Sequence, residues 1–598
     1  MKKSIIFKTI AFILICCTAA FITNRMGNGS IVTVSAEMNN ATLPVVYIEY
    51  EDTLINMLHG YTNNIDITLL RDAIIPVSKE RQIKLWVSGS SASVDSISYE
   101  VRALDGSLVE NGEITDIKDE EGYIKCNSAI RMDLLEGREY HYVLLVTRGE
   151  QVIRYYTRVI VAPEYHTAEL LDFVKRFHAQ TFDKDEENSL LVFKLEPNAS
   201  GNNKDLSNVT IHSSYDTVTY AGMSPSVISQ VIPTIQEVDS SYCFFKLEFV
   251  IAAGDETITN YYNVTEYYKV KYVDETTTYL LDYYRTQNEL YNYKNVNTTK
   301  NWFKIGVADD KSFSYLTSDG EKRVAFVREG QLWYYDYART NIIRIFGFWQ
   351  EDYLDINNTY RAHDIHLLSM DDEGNIAYAV SGYMNRGNHE GHTGIAVYRY
   401  MAGSNRTEEL MFLEIALPYE QLSVYTDRFM YLNQQDTFFF YLQGGIYRVT
   451  RDGHMTELAT GVSLSELAVA QNYNRIAYPV EPDVSKNTKV VIVDLDTEDT
   501  TEYEVSEQER IQTIGFVDSD FVCGKAMTAD IISYADGSVD FPMYKLEVID
   551  MNKNILKDYQ SQDMYIMNAY TAGLDIYFDR ADKENGEYKI KDQDFITY

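Results

Sequence analysis

The chain has 598 residues, 45% of them hydrophobic, so it is long enough for about three or four domains with ordinary cores, and global disorder is excluded. Its 89 acidic against 53 basic side chains give a net charge of −36, which repels phosphate backbones and anionic headgroups and argues against nucleic-acid partners and docking on acidic lipid. With 49 Tyr and 25 Phe but only 10 Pro, the composition suits half-buried pleated strands, and a mostly β fold is expected.

Lys2, Lys3 and Lys8 precede an apolar run over residues 9–23, closed by Asn24 and Arg25, which is the pattern of an export signal. The run reaches from 5 to 23 if Lys8 snorkels to the headgroups. Residues 1–26 are therefore read as a signal anchor or transmembrane segment, with the N-terminus inside and the rest outside a cell membrane. Cleavage after Thr18-Ala19-Ala20, giving a secreted protein, is the second reading, and lipidation at Cys17 is the third. The remaining cysteines are Cys126, Cys243 and Cys523, with no Cys-x-x-Cys, so a zinc ribbon is absent and buried core positions are expected.

Residues 27–43 are small and polar and read as a linker. Alternating runs at 45–50, 83–87, 97–104, 140–147 and 152–161, separated by turn signals such as Asp105-Gly106, Asn111-Gly112 and Glu136-Gly137, predict an immunoglobulin- or fibronectin-like β-sandwich over 44–163. Over 167–180, Leu170, Leu171, Val174 and Phe177 mark one face of a helix that Thr167 is expected to cap. Strands at 217–221, 242–252, 257–262 and 267–272, two of them joined at Gly254-Asp255, complete a second, mixed β domain over 165–297.

Residues 300–598 carry an internal repeat. Arg323-Val324-Ala325-Phe326, Asn375-Ile376-Ala377-Tyr378 and Arg475-Ile476-Ala477-Tyr478 are copies of one strand motif, each followed by a turn or loop and a second apolar strand. Taking Leu332, Ile395, Ile446, Val491 and Leu546 as equivalent, the spacings are 63, 51, 45 and 55. A period near that of a four-stranded unit resembles the blade patterning of YWTD, TolB-like and related β-propellers, and implies about six or seven blades. Five or six units are visible, so closure is expected through a strand from residues 303–318, or the chain is a fragment.

Four of the ten histidines fall in two short runs, His363-Asp364-Ile365-His366 and His389-Glu390-Gly391-His392, flanking a strand expected at 376–380. Imidazoles and carboxylates so spaced suit Zn²⁺ or another divalent cation, or a general base. His363, His366, His389 and His392 are the metal candidates, although no cofactor is firmly implied and a solvated hairpin is the ordinary reading. The loop 382–394, with four glycines, Arg386 and two histidines, is the first place to look for a binding site. The acidic run Asp494, Asp496, Glu498 and Asp499 lacks the full calcium loop and reads as a turn. There is no nucleophile elbow, P-loop or dinucleotide fingerprint.

The features add up to a non-enzymatic, membrane-anchored scaffold, binding or sensory-accessory protein of a bacterial cell envelope. Its propeller is expected to recognise a protein, a peptide or a glycan. The alternative is an extracellular hydrolase or lyase acting on polysaccharide or peptide through the His-rich region.

Overall fold

A computed structural model describes residues 32–35, 38–254, 258–274, 277–293, 305–308, 313–318, 320, 322–337, 339, 341–350, 355–561 and 563–598. The fold is mostly β, built from several sheets with few helices. Among the described residues no helix is long and apolar enough to cross a membrane, and the apolar run 5–23 lies outside them.

The first unit is a pair of five-stranded sheets. One runs Thr53–Leu58, Val46–Tyr50, Gln82–Ser88, Tyr123–Ala129, Ile117–Glu120, and the other Ile74–Val77, Gln151–Val161, Glu139–Arg148, Ser96–Arg102, Leu108–Glu113. Period-two alternation sets what each sheet buries. Ile83, Leu85 and Val87 of one and Ile97, Tyr99 and Val101 of the other enter a shared core. Asn111-Gly112 does not reverse the chain as expected but lies in the strand Leu108–Glu113. Gly112 faces Tyr99 across the pair, and a Cβ there would come 2.8 Å from the tyrosine ring, so the glycine makes room for an aromatic neighbour.

Helix α1 (Thr167–Thr181) opens the second unit and buries Leu170, Leu171, Phe173, Val174 and Phe177. His166, not Thr167, occupies the cap position, because the Thr167 side chain is buried with its hydroxyl 3.8 Å from Cys243 Sγ. The helix packs on a sheet whose long strands are Cys243–Gly254, Thr259–Asp274 and Thr277–Glu289. The two strands expected at 257–262 and 267–272 are one continuous strand, and Asp255 of the expected turn lies outside the described residues. The strand expected at 217–221 is instead a helical turn, Tyr215–Val218, followed by positive φ at Tyr220 and Ala221. Ser214 accepts a hydrogen bond from Thr217 N and caps that turn, which overrides the β-propensity of Thr, Val and Tyr.

One hydrophobic core runs from Val46 in the first unit to Tyr283 in the second. Asn56, fully buried at the seam, donates to Ile74 O at 2.8 Å and accepts from Ile235 N at 2.8 Å. Cys126, Cys243 and Cys523 are free and buried.

Five four-stranded antiparallel units follow, each wound outward from its first strand; the first and last belong to larger sheets of five and seven strands. They begin at Tyr315–Thr317 (blade I), His363–Met370 (II), Met430–Leu432 (III), Ala468–Val469 (IV) and Glu509–Val517 (V). The Ala-containing motifs are the second strands of blades I, II and IV. Leu332, Ile395, Ile446 and Leu546 are buried on the third strands, whereas in blade IV Val490 and Ile492 take the buried positions and Val491 does not. Separate apolar clusters join each blade to the next, as a propeller requires.

The residues after blade V form three more antiparallel strands, Tyr565–Ala572, Asp575–Glu584 and Glu587–Thr597, which continue the sheet of blade V through the pairing of Met543 with Ile566. The described units are thus five blades and a three-stranded extension of the fifth, against an expected six or seven blades. The strand at 315–317 does not complete the last unit but pairs with Arg323–Arg328 inside blade I. Part of the expected linker is also structured. Val32–Ser35 adds in parallel to the outer strand of blade I, Asn341–Gly347.

Candidate functional site at the junction of three units

The connections leading into the first strands of blades II and III point at the first two units, and aromatic packing fixes them there. Tyr61 packs with Tyr383, Ala362 and Tyr360, and the Tyr383 hydroxyl donates to Gly60 O at 2.8 Å. His59 stacks on Tyr360 with ring centroids 3.8 Å apart, and burial pushes the imidazole down to about 3, leaving it neutral at ordinary pH.

Where the three units meet lies a cavity of about 480 Å³, lined from all of them. The second unit supplies Lys246 and Glu248, two residues apart and so on one face of their strand, opposite Tyr267 and Thr265 on the next. Lys246 Nζ pairs with Glu248 Oε2 at 2.8 Å. Arg361, from the propeller, reaches Glu248 at 3.7 Å, Glu329 at 3.1 Å and Thr265 Oγ1 at 2.8 Å. Burial works to raise the Glu248 carboxyl, but Lys246 and Arg361 outweigh it and hold the group below its usual value.

Asp72 of the first unit and Glu420 of the propeller line the same cavity and take no part in these ion pairs. Both keep accessible surface. Burial raises the Asp72 carboxyl above its ordinary range, with Lys246 and Arg158 pulling the other way. Burial, followed by repulsion from Asp72, pushes Glu420 up to about 7. The two cations are therefore satisfied by Glu248 and Glu329, and two carboxyls face the cavity in excess.

A second cavity of about 500 Å³ is lined by the first strands of blades II and III with Thr426 and Asp427 beside them, by Ser314 and Val327 of blade I and by Tyr473 of blade IV. Two contacts join the walls of the two cavities: Arg361 to Glu329, and Tyr419 donating to Asp364 Oδ1 at 3.2 Å. In the second cavity Asp364 and His366 meet Asp427, the residue that ends helix α2 (Tyr419–Thr426). Burial, then repulsion from Asp427, pushes Asp364 up to about 6, and burial pushes His366 down to about 4.

The residues singled out in the sequence fall in different surroundings. His363 lies on the other face of its strand from Asp364 and His366, buried edge-on to Phe348 with centroids 4.7 Å apart, and burial pushes it down to about 4. His389 stacks on Phe412 and bonds Glu409 at 2.8 Å, while His392 lies 3.3 Å from Glu414. Glu390 accepts from Thr42 N at 2.6 Å, the Thr42 hydroxyl at 2.7 Å and Leu43 N at 2.9 Å. Arg386 is fully buried and donates to Phe348 O at 2.6 Å, Asp355 at 2.7 Å and Asn358 at 3.2 Å.

Among the described residues the metal-ligating groups that converge within 4.8 Å are Asp364, His366 and Asp427, so the four histidines do not form one ligand set. Strand alternation separates His363 from His366, and the loop 382–394 packs against the first unit, where Thr62 N donates to Gly391 O at 2.8 Å. Asp494 instead accepts from Asp496 N and Thr497 N and pairs with Arg475, as a turn residue does.

Sequence inspection missed Asp72, Asp427 and Glu420, which sit in connections without local pattern. Lys246 and Glu248 did leave a signal, since two alternate charges interrupt the apolar run Cys243-Phe244-Phe245-Lys246-Leu247-Glu248-Phe249.

No family model matches the chain, and no curated protein matches it. Among solved structures it is similar to the tricorn protease (TM-score 0.26, 11% identity, covering 86% of this chain and 55% of that one). It is also similar to the β-propeller domain of the Trilobed protease from Pyrococcus furiosus (TM-score 0.23, 12% identity, 58% and 93%). Porphyromonas gingivalis dipeptidyl peptidase 4 is a third (TM-score 0.21, 11% identity, 47% and 53%). The chain spans about half the length of the first and third of these proteins. At such scores the likeness carries no functional argument, and the blade architecture rests on the strand pairing described above.

Proposed function

We propose that the chain is an extracytoplasmic binding protein of a bacterial cell envelope, held at the membrane by residues 1–26, and that its ligand occupies the junction cavity. The observation that carries this reading is the pair Asp72 and Glu420, drawn from different units into one cavity of about 480 Å³ beside the rings of Tyr267 and Tyr360. Two carboxyls in excess favour a ligand that brings a cation, and aromatic faces favour an ammonium near them. A short peptide, through its free N-terminus or a basic side chain, has both the charge and the apolar surface for such a wall. Because the wall spans three units, an occupant that binds one arrangement of them better would shift the chain toward it, which suits a sensory accessory.

The test is calorimetric titration of the full chain in detergent with di- and tripeptides, beside N-acetylated peptides lacking basic side chains. Free-amine peptides are expected to bind, and Asp72→Asn or Glu420→Gln to weaken binding by about tenfold or more. Affinity is expected to rise between pH 5 and pH 8, because Glu420 gains its charge as pH passes about 7. Absence of binding across the panel, or equal binding by both variants, would overturn the reading.

A further inference from the structure

We infer that Asp364, His366 and Asp427 form a binding site for one divalent transition-metal ion. Asp364 and His366 stand two residues apart on the first strand of blade II, so alternation turns both toward the same side. Leu368, next on that face, packs between blades II and III, while Ile365 and Leu367 pack against blade I. Asp427 arrives from helix α2, immediately before blade III.

The proton positions follow from a chain of hydrogen bonds. The Thr426 hydroxyl donates to carbonyls of its own helix, at 3.2 Å to Leu422 O and 3.3 Å to Ser423 O. At the 3.2 Å contact between Ser381 and Thr426, the Ser381 hydroxyl must therefore be the donor. Ser381 Oγ then accepts from His366 Nε2 at 2.9 Å. In the neutral imidazole this leaves Nδ1 with a lone pair, 3.9 Å from Asp427 Oδ1. A lone pair and two carboxylates thus converge, with ligand atoms within 4.8 Å of one another and no donor of this chain of bonds between them. A cation placed among these three acceptors would be attracted by all of them.

The set also has the orienting contacts of metal sites. Ser381 fixes the tautomer and plane of His366, and the Tyr419 hydroxyl holds Asp364 Oδ1 at 3.2 Å. A tetrahedral ion with ligand bonds of about 2.0–2.2 Å keeps its ligands about 3.3–3.6 Å apart, so the set needs a modest contraction. The Asp427 side chain is 66% exposed and free to rotate inward. One imidazole with two carboxylates suits Zn²⁺, Mn²⁺ or Co²⁺, and the adjoining cavity of about 500 Å³ leaves room for water on the remaining positions.

The experiment is equilibrium dialysis of the full chain in detergent against Zn²⁺ and Co²⁺, with bound metal counted by mass spectrometry and the Co²⁺ absorption spectrum recorded. One equivalent is expected, lost in His366→Gln and in Asp427→Asn and retained in His392→Ala. Ser381→Ala is expected to keep the fold and weaken binding by about 10–100-fold, with a shifted Co²⁺ spectrum. Asp427→Asn changes an exposed side chain, so it reads the site even if His366→Gln fails to fold. Sub-stoichiometric metal in the unaltered chain, or one equivalent retained by Asp427→Asn, would overturn the inference.

Discussion

His363-Asp364-Ile365-His366 and His389-Glu390-Gly391-His392 look alike as strings and differ in everything the fold does with them. The first is a strand. Alternation buries His363 among aromatic rings and turns Asp364 and His366 together toward a cavity, where they meet a second carboxylate, that of Asp427. The second begins in a short helical turn, and its side chains turn to separate neighbours. His389 and His392 go to Glu409 and Glu414, and Glu390 is consumed by the backbone of Thr42 and Leu43. Residue type announces chemistry in both runs, but only the run with an unspent lone pair offers a site. The loop 382–394 works as a joint, fastening blade II to the N-terminal unit.

The largest expected effect tests the joint. Arg386→Met leaves Asp355 and the Phe348 carbonyl without their buried donor, and urea unfolding is expected to show a loss of about 3–5 kcal/mol. A loss below about 1 kcal/mol would mean that the loop is not held by this arginine. Next is Glu390→Ala, which strips the acceptor from two backbone amides. A loss of about 1–2 kcal/mol is expected, with faster proteolysis near residues 38–43. Unchanged proteolysis would detach the N-terminal segment from this contact.

The smallest effect draws the comparison most sharply. Replacing both His389 and His392 by Ala removes two partly exposed contacts, to Glu409 and Glu414, so a cost of about 1 kcal/mol or less and unchanged metal content are expected. If that variant lost bound metal while His366→Gln kept it, the assignments of the two runs would have to be exchanged.

Much of the architecture was legible because its causes are local. The runs at 83–87, 97–104, 140–147 and 152–161 are strands within a few residues of their expected limits, and the apolar face of α1 is the one its spacing marks. The repeated Ala motif falls at one structural position in three blades. Errors came where a contact outvoted a propensity. Ser214 caps a helical turn among residues that prefer strands, and Tyr99 claims the space that Gly112 leaves open. The blade arrangement was less legible, since the strand at 315–317 has nothing local to say which sheet it joins.

The candidate sites were legible only in part. Asp364 and His366 stood out as types, yet Asp427 lies 61 positions beyond His366 and follows an unremarkable short helix. Asp72 and Glu420 share a cavity although nothing near either in the chain marks it.

By itself the sequence determined the class of fold, the positions of most strands and the histidine-bearing segments, because alternation, helical spacing and turn chemistry act over a few residues. Only the tertiary structure decided which polar groups are spent and which remain available. Glu390 is spent on Thr42, 348 positions away, while His366 and Asp427 are brought together by the packing of two blades. Partner choice at that range depends on how sheets stack, and no local pattern encodes it.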